Sequence, residues 1–251
     1  MASVTIGFVL AAVCALLLTP SAGHLAHALG AIDRPTSGRK AHGRAVPRLG
    51  GLAIIAGFLA SLALACPVEE AIDALGARSA LVDLRLAALV ASSLLVAAVG
   101  IYDDVAGARP RHKLLVQLAA GAVAWSGGVR LESLPIPFGE PLALGALGLP
   151  ATVLWLAACS NALNLLDGLD GLAAGVATIA GAGLATLALA RGDEAMVLAG
   201  VALSGASAGF LRWNAHRASI FMGDSGSLFL GFALGACGLS STSGPGTPPL
   251  R

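Results

Sequence analysis

The chain has 251 residues, of which 57% are hydrophobic and 12% charged, with a formal net charge of +1. A mean hydropathy of +0.84 excludes an ordinary soluble domain. Nothing in the charge supports nucleic-acid binding, because no basic stretch is interleaved with aromatic residues.

Apolar runs approaching the about 20 residues that a bilayer-crossing helix needs lie near 2–19, 49–66, 84–101, 113–127, 149–164, 171–190, 195–212 and 224–241. They predict an all-α polytopic membrane protein of about eight transmembrane helices, one domain over 1–241 followed by a disordered Ser/Gly/Pro-rich tail over 242–251. The 33 glycines suit this reading, since small residues let membrane helices approach closely. The cysteines, Cys14, Cys66, Cys159 and Cys237, stand singly in or beside apolar runs. They read as packing residues, without metal-ligand or disulfide spacing.

The first run lacks a preceding basic region, and basic residues follow it instead. That order favours a retained helix with its N-terminus outside over a cleaved signal peptide. The loops after spans one, three, five and seven then face the cytoplasm. With their edges they hold Arg34, Arg39, Lys40, Arg44, Arg48, Arg109, Arg111, Lys113, Arg212 and Arg217, which is ten of the fifteen basic residues. All five histidines fall there too. The opposite side carries solvated acids and, over 128–148, a short hairpin signalled by alternation and proline–glycine breaks.

The odd loops hold the unusual chemistry. Loop one, "DRPTSGRKAHGRAVPRLGG", is basic enough to be purely topogenic. Loop three places Asp103 and Asp104 side by side, with Lys113 at the next helix entrance. Loop five, "NALNLLDGLDGLAAG", spaces Asn161, Asn164, Asp167 and Asp170 three residues apart; Asp-Gly turns explain the aspartates but not the asparagines. Loop seven contains "IFMGDSGS", where Asp224 or Ser225 serves either as a helix cap or as a functional group. Five carboxylates gathered at one membrane face by independent loops are costly unless paired, hydrated or metal-bound. Hard oxygen ligands with few histidines suit Mg²⁺ shared with substrate phosphates, with Arg39, Lys40, Arg44 and Lys113 as positive partners. The combination fits phosphoryl transfer onto a membrane-bound acceptor. An ion-coupled transporter or channel is the alternative, and position separates the two, since transport residues belong near mid-bilayer.

In order and spacing, these four loop sequences resemble the motifs of the polyprenyl-phosphate N-acetylhexosamine-1-phosphate transferases, over about residues 33–235. The "RKAHGRAVPRLGG" form looks more like the branch that initiates O-antigen, teichoic acid or related glycans than the phospho-MurNAc-pentapeptide branch. The resemblance implies a bacterial inner-membrane enzyme that transfers GlcNAc-1-phosphate, or a related sugar 1-phosphate, from a UDP-N-acetylhexosamine to undecaprenyl phosphate, with a homodimer as a further expectation. It implies Mg²⁺, or Mn²⁺ in its place, held by Asp224 and Asn164. Asp103, Asp104 and Lys113 would meet the diphosphate and lipid phosphate, with Asp167 supporting that network. Asp170 and Phe221 would contact the uracil. Arg39, Lys40, His42, Arg44 and Asn161 would complete the substrate site. Two departures stand out: Arg217 and Ser219 precede "IFMGD" where the family has a proline and a basic residue, and the family continues into further spans and a His/Arg-rich loop. The chain is therefore expected to be shorter than the usual family fold and weakly active alone.

Overall fold

The computed structural model describes residues 2–34, 45–73, 84–134, 136–137 and 139–242. Among the described residues eight α-helices occupy the eight apolar runs: α1 (Ala2–Leu29), α2 (Gly50–Asp73), α3 (Leu84–Ala106), α4 (Pro110–Ser126), α5 (Gly148–Leu166), α6 (Leu172–Ala190), α7 (Glu194–Asn214) and α8 (Gly223–Thr242). Five, α1, α3, α5, α6 and α7, include segments long and apolar enough to cross a membrane; the described part of α2 supplies a shorter apolar stretch, Gly50–Leu64. The architecture is the expected all-α, polytopic membrane protein. The expected tail lies, beyond Thr242, outside the described residues.

The helix ends follow local chemistry. Pro110 opens α4, where its missing N–H costs no hydrogen bond. This brings Lys113 inside the first turn of α4, slightly earlier than the apolar run suggests. The larger difference is in α1, which runs through Pro20 to Leu29 instead of stopping at Thr19. A membrane helix tolerates an internal proline when neighbouring groups take up the freed polar atoms. Here the Leu16 carbonyl, which Pro20 leaves without its helical donor, accepts from Trp213 Nε1 at 2.9 Å, and the helix ends only where Gly30 turns to a φ of 73°. His24 and His27 consequently sit on helix and not in a loop.

Two short antiparallel pairs complete the fold. β1 (Ile32–Asp33) and β2 (Val46–Pro47) close the base of loop one, pairing Ile32 with Pro47 and Asp33 with Val46. β3 (Ser133–Leu134) and β4 (Leu142–Ala143) form the expected hairpin between α4 and α5.

α8 is the central helix, packed against α2, α3, α5, α6 and α7, with nearly every described residue from Ser225 to Ser240 buried. Its neighbours come close because glycines face the contacts. A Cβ on Gly51 or Gly100 would collide with the Gly226 or Asp224–Ser225 backbone, and one on Gly231 with the Cys159 carbonyl. Phe58 and Phe229 meet edge to face at 5.5 Å in the same core. Around this pillar α1 packs on α2 and α7, α6 on α7, and α4 on α3 and α5. Among the described residues Cys14, Cys159 and Cys237 form no disulfide, and Cys237 Sγ donates to the Met196 carbonyl at 3.7 Å.

Candidate active site

The C-termini of α3 and α5 and the N-termini of α4 and α8 meet at one end of the bundle, and their polar side chains form a single cluster. Asp103 and Asp104 end α3, Lys113 begins α4, Asn164 and Asp167 end α5, and Asp224 begins α8. Lys113 Nζ lies 2.7 Å from Asp224 Oδ2 and 3.2 Å from Asp103 Oδ2. Asn164 Nδ2 donates to Asp224 Oδ1 at 3.0 Å and to Ser227 Oγ at 2.8 Å. Asp103 also accepts from the Ala108 backbone N–H, which fixes the turn into α4.

The Gly-Asp-Ser-Gly turn does not cap itself. Asp104 caps α8 instead, its two carboxylate oxygens accepting the N–H groups of Asp224 and Ser225 at 2.9 Å each. An anion here satisfies orphan donors and complements the positive end of the helix dipole. Asp224 is thereby freed to face Lys113 and Asn164. Gly223 makes this possible: its φ is 73°, and a Cβ would lie 2.5 Å from Asp104 Oδ2 and 2.8 Å from the Arg48 carbonyl.

Asp167 accepts a backbone hydrogen bond from Gly223, yet its carboxyl is pushed up to about 8. Burial is the main cause, followed by the charges of Asp224 and Asp104. The site thus carries more anion than its own groups neutralise. Among the described residues no three His, Cys, Asp or Glu side chains gather as a metal cage. Mg²⁺ needs no such cage when substrate phosphates and water complete its shell. Asp103 and Asp224 already converge on one cation, the Lys113 ammonium, with the Asn164 amide beside them, so this donor set fits a hard divalent cation shared with a substrate.

Not every expected site residue joins the cluster. Asn161 lies one turn deeper, donating to Gln117 Oε1 at 2.6 Å and to the Ala157 carbonyl at 2.7 Å. Asp170 ties down the segment before α8, accepting from the Ala218 N–H at 3.1 Å with His216 Nδ1 at 3.7 Å. Phe221 is held by its backbone, donating to the Pro47 carbonyl and accepting from Gly50 N–H. Arg39, Lys40, His42 and Arg44 lie outside the described residues.

Four contributors escaped the sequence reading. Arg48 reaches the Asp104 carbonyl at the end of α3, 3.4 Å away. Ser227 supports Asn164. Asn214 joins loops five and seven, accepting from Gly171 N–H and donating to the Ile220 carbonyl. Gln117 was the most readable of them, because a carboxamide four residues after Lys113 shares its helix face.

Residues 86–242 match the model of glycosyl transferase family 4. A probable undecaprenyl-phosphate N-acetylglucosaminyl 1-phosphate transferase of Bacillus subtilis is 35% identical over 235 residues, covering 93% of the chain and 62% of the relative. A decaprenyl-phosphate N-acetylglucosaminephosphotransferase of Mycolicibacterium smegmatis is 33% identical over 232 residues, 88% of the chain and 55% of the relative. A phospho-N-acetylmuramoyl-pentapeptide-transferase of a Synechococcus species is 46% identical, but over only 144 residues, 55% of the chain and 40% of the relative. The chain spans less than two thirds of the length of each of these relatives. A family match covering well over half the chain, with the carboxylate cluster inside it, establishes that this protein is a member of glycosyl transferase family 4.

Proposed function

We propose that the protein transfers N-acetylglucosamine 1-phosphate from its UDP conjugate to undecaprenyl phosphate, releasing UMP at the cytoplasmic face of a bacterial inner membrane. One observation carries the reading: the four helix ends bring Asp103, Asp104, Asp167, Asp224 and Lys113 together at the end of a membrane bundle. A soluble nucleotide sugar and the headgroup of a lipid can meet there. Similarity along nearly the whole chain to a relative named for N-acetylglucosaminyl 1-phosphate transfer favours that sugar over the muramoyl-pentapeptide.

In the reaction an oxygen of the lipid phosphate attacks the sugar-linked phosphorus. The new diphosphate bond forms as the bond to the α-phosphate breaks, and the electron pair leaves with UMP. A phosphate monoester has a second pKa near 6, so the acceptor is largely dianionic at neutral pH and needs no strong base. Rate then depends on position and charge neutralisation. Lys113 supplies positive charge to the diphosphate. Asp104 holds the α8 N-terminus in place, and Asn164 orients Asp224. A Mg²⁺ held by Asp224, with Asn164 and Asp103 beside it, would neutralise the diphosphate charge. The transporter reading is disfavoured because the carboxylates gather at helix ends and not halfway along a span.

The test is UMP release by the purified protein in detergent, with undecaprenyl phosphate, Mg²⁺ and a panel of UDP-N-acetylhexosamines. Release only with UDP-GlcNAc and only with lipid phosphate is the expected result. Release without lipid phosphate would mean hydrolysis and overturn the transferase reading.

A further inference from the structure

Lys113 has conflicting obligations at this site. Its ammonium bridges two carboxylates from different helices, Asp103 on α3 and Asp224 on α8, at 3.2 and 2.7 Å. Among the described residues it is the only cation ion-paired with any of the four clustered aspartates. Arg48 donates to a backbone carbonyl instead. All three side chains are only about one fifth exposed, so water screens them weakly.

A divalent cation on Asp224 would need its oxygen at about 2.1 Å. An ammonium 2.7 Å from that same carboxylate repels a doubly charged ion arriving on it. Moving Lys113 aside relieves that repulsion, but alone in a half-buried pocket it would leave its anions for none. Its flexible four-carbon stem gives it reach, and the donor's diphosphate offers the missing anion. Metal and nucleotide would therefore each help the other to bind, by reciprocal linkage.

We propose that Lys113 is an internal counter-ion that keeps divalent metal off Asp224 until a nucleotide diphosphate draws the ammonium away. This rests on the metal–diphosphate site proposed above, and it makes Lys113 the residue that couples the two ligands.

The experiment measures Mn²⁺ affinity from the electron paramagnetic resonance signal of free Mn²⁺, using the full chain in detergent with and without UDP. In the wild type, Mn²⁺ alone should bind weakly and UDP should tighten it by about tenfold or more, within the usual range of coupling between two sites. Lys113→Gln should bind Mn²⁺ alone about tenfold more tightly than the wild type, and UDP should then change its affinity by less than about threefold. Lys113→Arg keeps the charge and should retain both weak binding and coupling. Thermal unfolding reports whether each variant is folded. If the glutamine variant does not fold, the wild type and the arginine variant decide. Tight Mn²⁺ binding without nucleotide in either overturns the proposal, as does Lys113→Gln binding Mn²⁺ no more tightly than the wild type. Loss of UMP release with the Mn²⁺–UDP coupling intact would remove the transferase reading and leave the counter-ion in place.

Discussion

Asp224 is the residue on which the proposed chemistry turns, and its neighbours define what each substitution does. Asp224→Asn keeps the shape but removes the charge that faces Lys113, so Mg²⁺-dependent UMP release should disappear while thermal stability holds. Asn164→Ala should raise the Mg²⁺ requirement less, because a neutral ligand contributes less electrostatically. A titration of UMP release against Mg²⁺ for both variants ranks them, and near-normal release by a folded Asp224→Asn protein would falsify its role as metal anchor. Gly223→Ala should unfold the α8 cap. Left-handed backbone costs a non-glycine residue roughly 1–2 kcal/mol, and the added methyl also presses on Asp104 and Arg48. A lowered melting temperature together with lost activity is the expected pair of readings. Asp167 gives a pH signature. Its carboxyl is raised to about 8, so between about pH 4 and 8 the folded state binds a proton that the unfolded state has released. Ligand-free stability should fall as pH rises through that window, and Asp167→Asn should flatten the profile. Melting curves from pH 5 to pH 9 without metal will show whether it does.

At the scale of helices, α4 and α5 are joined by two polar rungs. The upper one is Lys113 to Asp224 to Asn164, and the lower one is Gln117 to Asn161. The residues on each helix are one turn apart, so the lower rung sets the rotation that aims the upper one. Gln117→Leu and Asn161→Leu should each destabilise by about 0.6–2 kcal/mol, the range for hydrogen bonds between membrane helices. The double variant should lose less than the sum, which a melting-temperature cycle measures. The sequence showed the 113/117 and 161/164 spacings but not that they face each other, because pairing between helices depends on packing. It likewise located "MGDSG" as a turn while hiding its cap, since Asp104 lies 120 residues away from the N–H it accepts. The end of α1 was obscured for the opposite reason. Pro20 is a strong local stop signal, and the surrounding bundle lets the helix continue by supplying Trp213 as the donor to the Leu16 carbonyl.

For the whole molecule, hydropathy alone located all eight helices, because lipid demands long apolar segments with internally satisfied backbones. The even spacing of polar loops then placed the cluster at a single end. What could not be read was the centrality of α8, which is no more apolar than its neighbours and differs in the glycine contacts that surround it. The one-sided arrangement has a direct check. Single cysteines at Ala108 and Ala215 should resist impermeant thiol reagents applied to intact cells, whereas one at Ser133, in the hairpin at the other end, should react. Labelling at Ala108 from outside would place the site on the wrong face.

The buried pillar also bears on how the protein is made. α8 follows the other seven helices in the chain, yet it fills the space among five of them and carries Asp224. During synthesis those helices enter the bilayer before their common partner exists, with Gly51, Gly100 and Asp104 facing a slot. The N–H groups that Asp104 accepts arrive only with α8, so among the described residues its carboxylate has no other hydrogen-bond donor until then. The ribosome therefore delivers the central packing element and the carboxylate that faces Lys113 together. Nascent chains arrested before Ser219 should be cut readily by protease in the turn between α3 and α4, beside Asp104, and become resistant there once α8 has emerged.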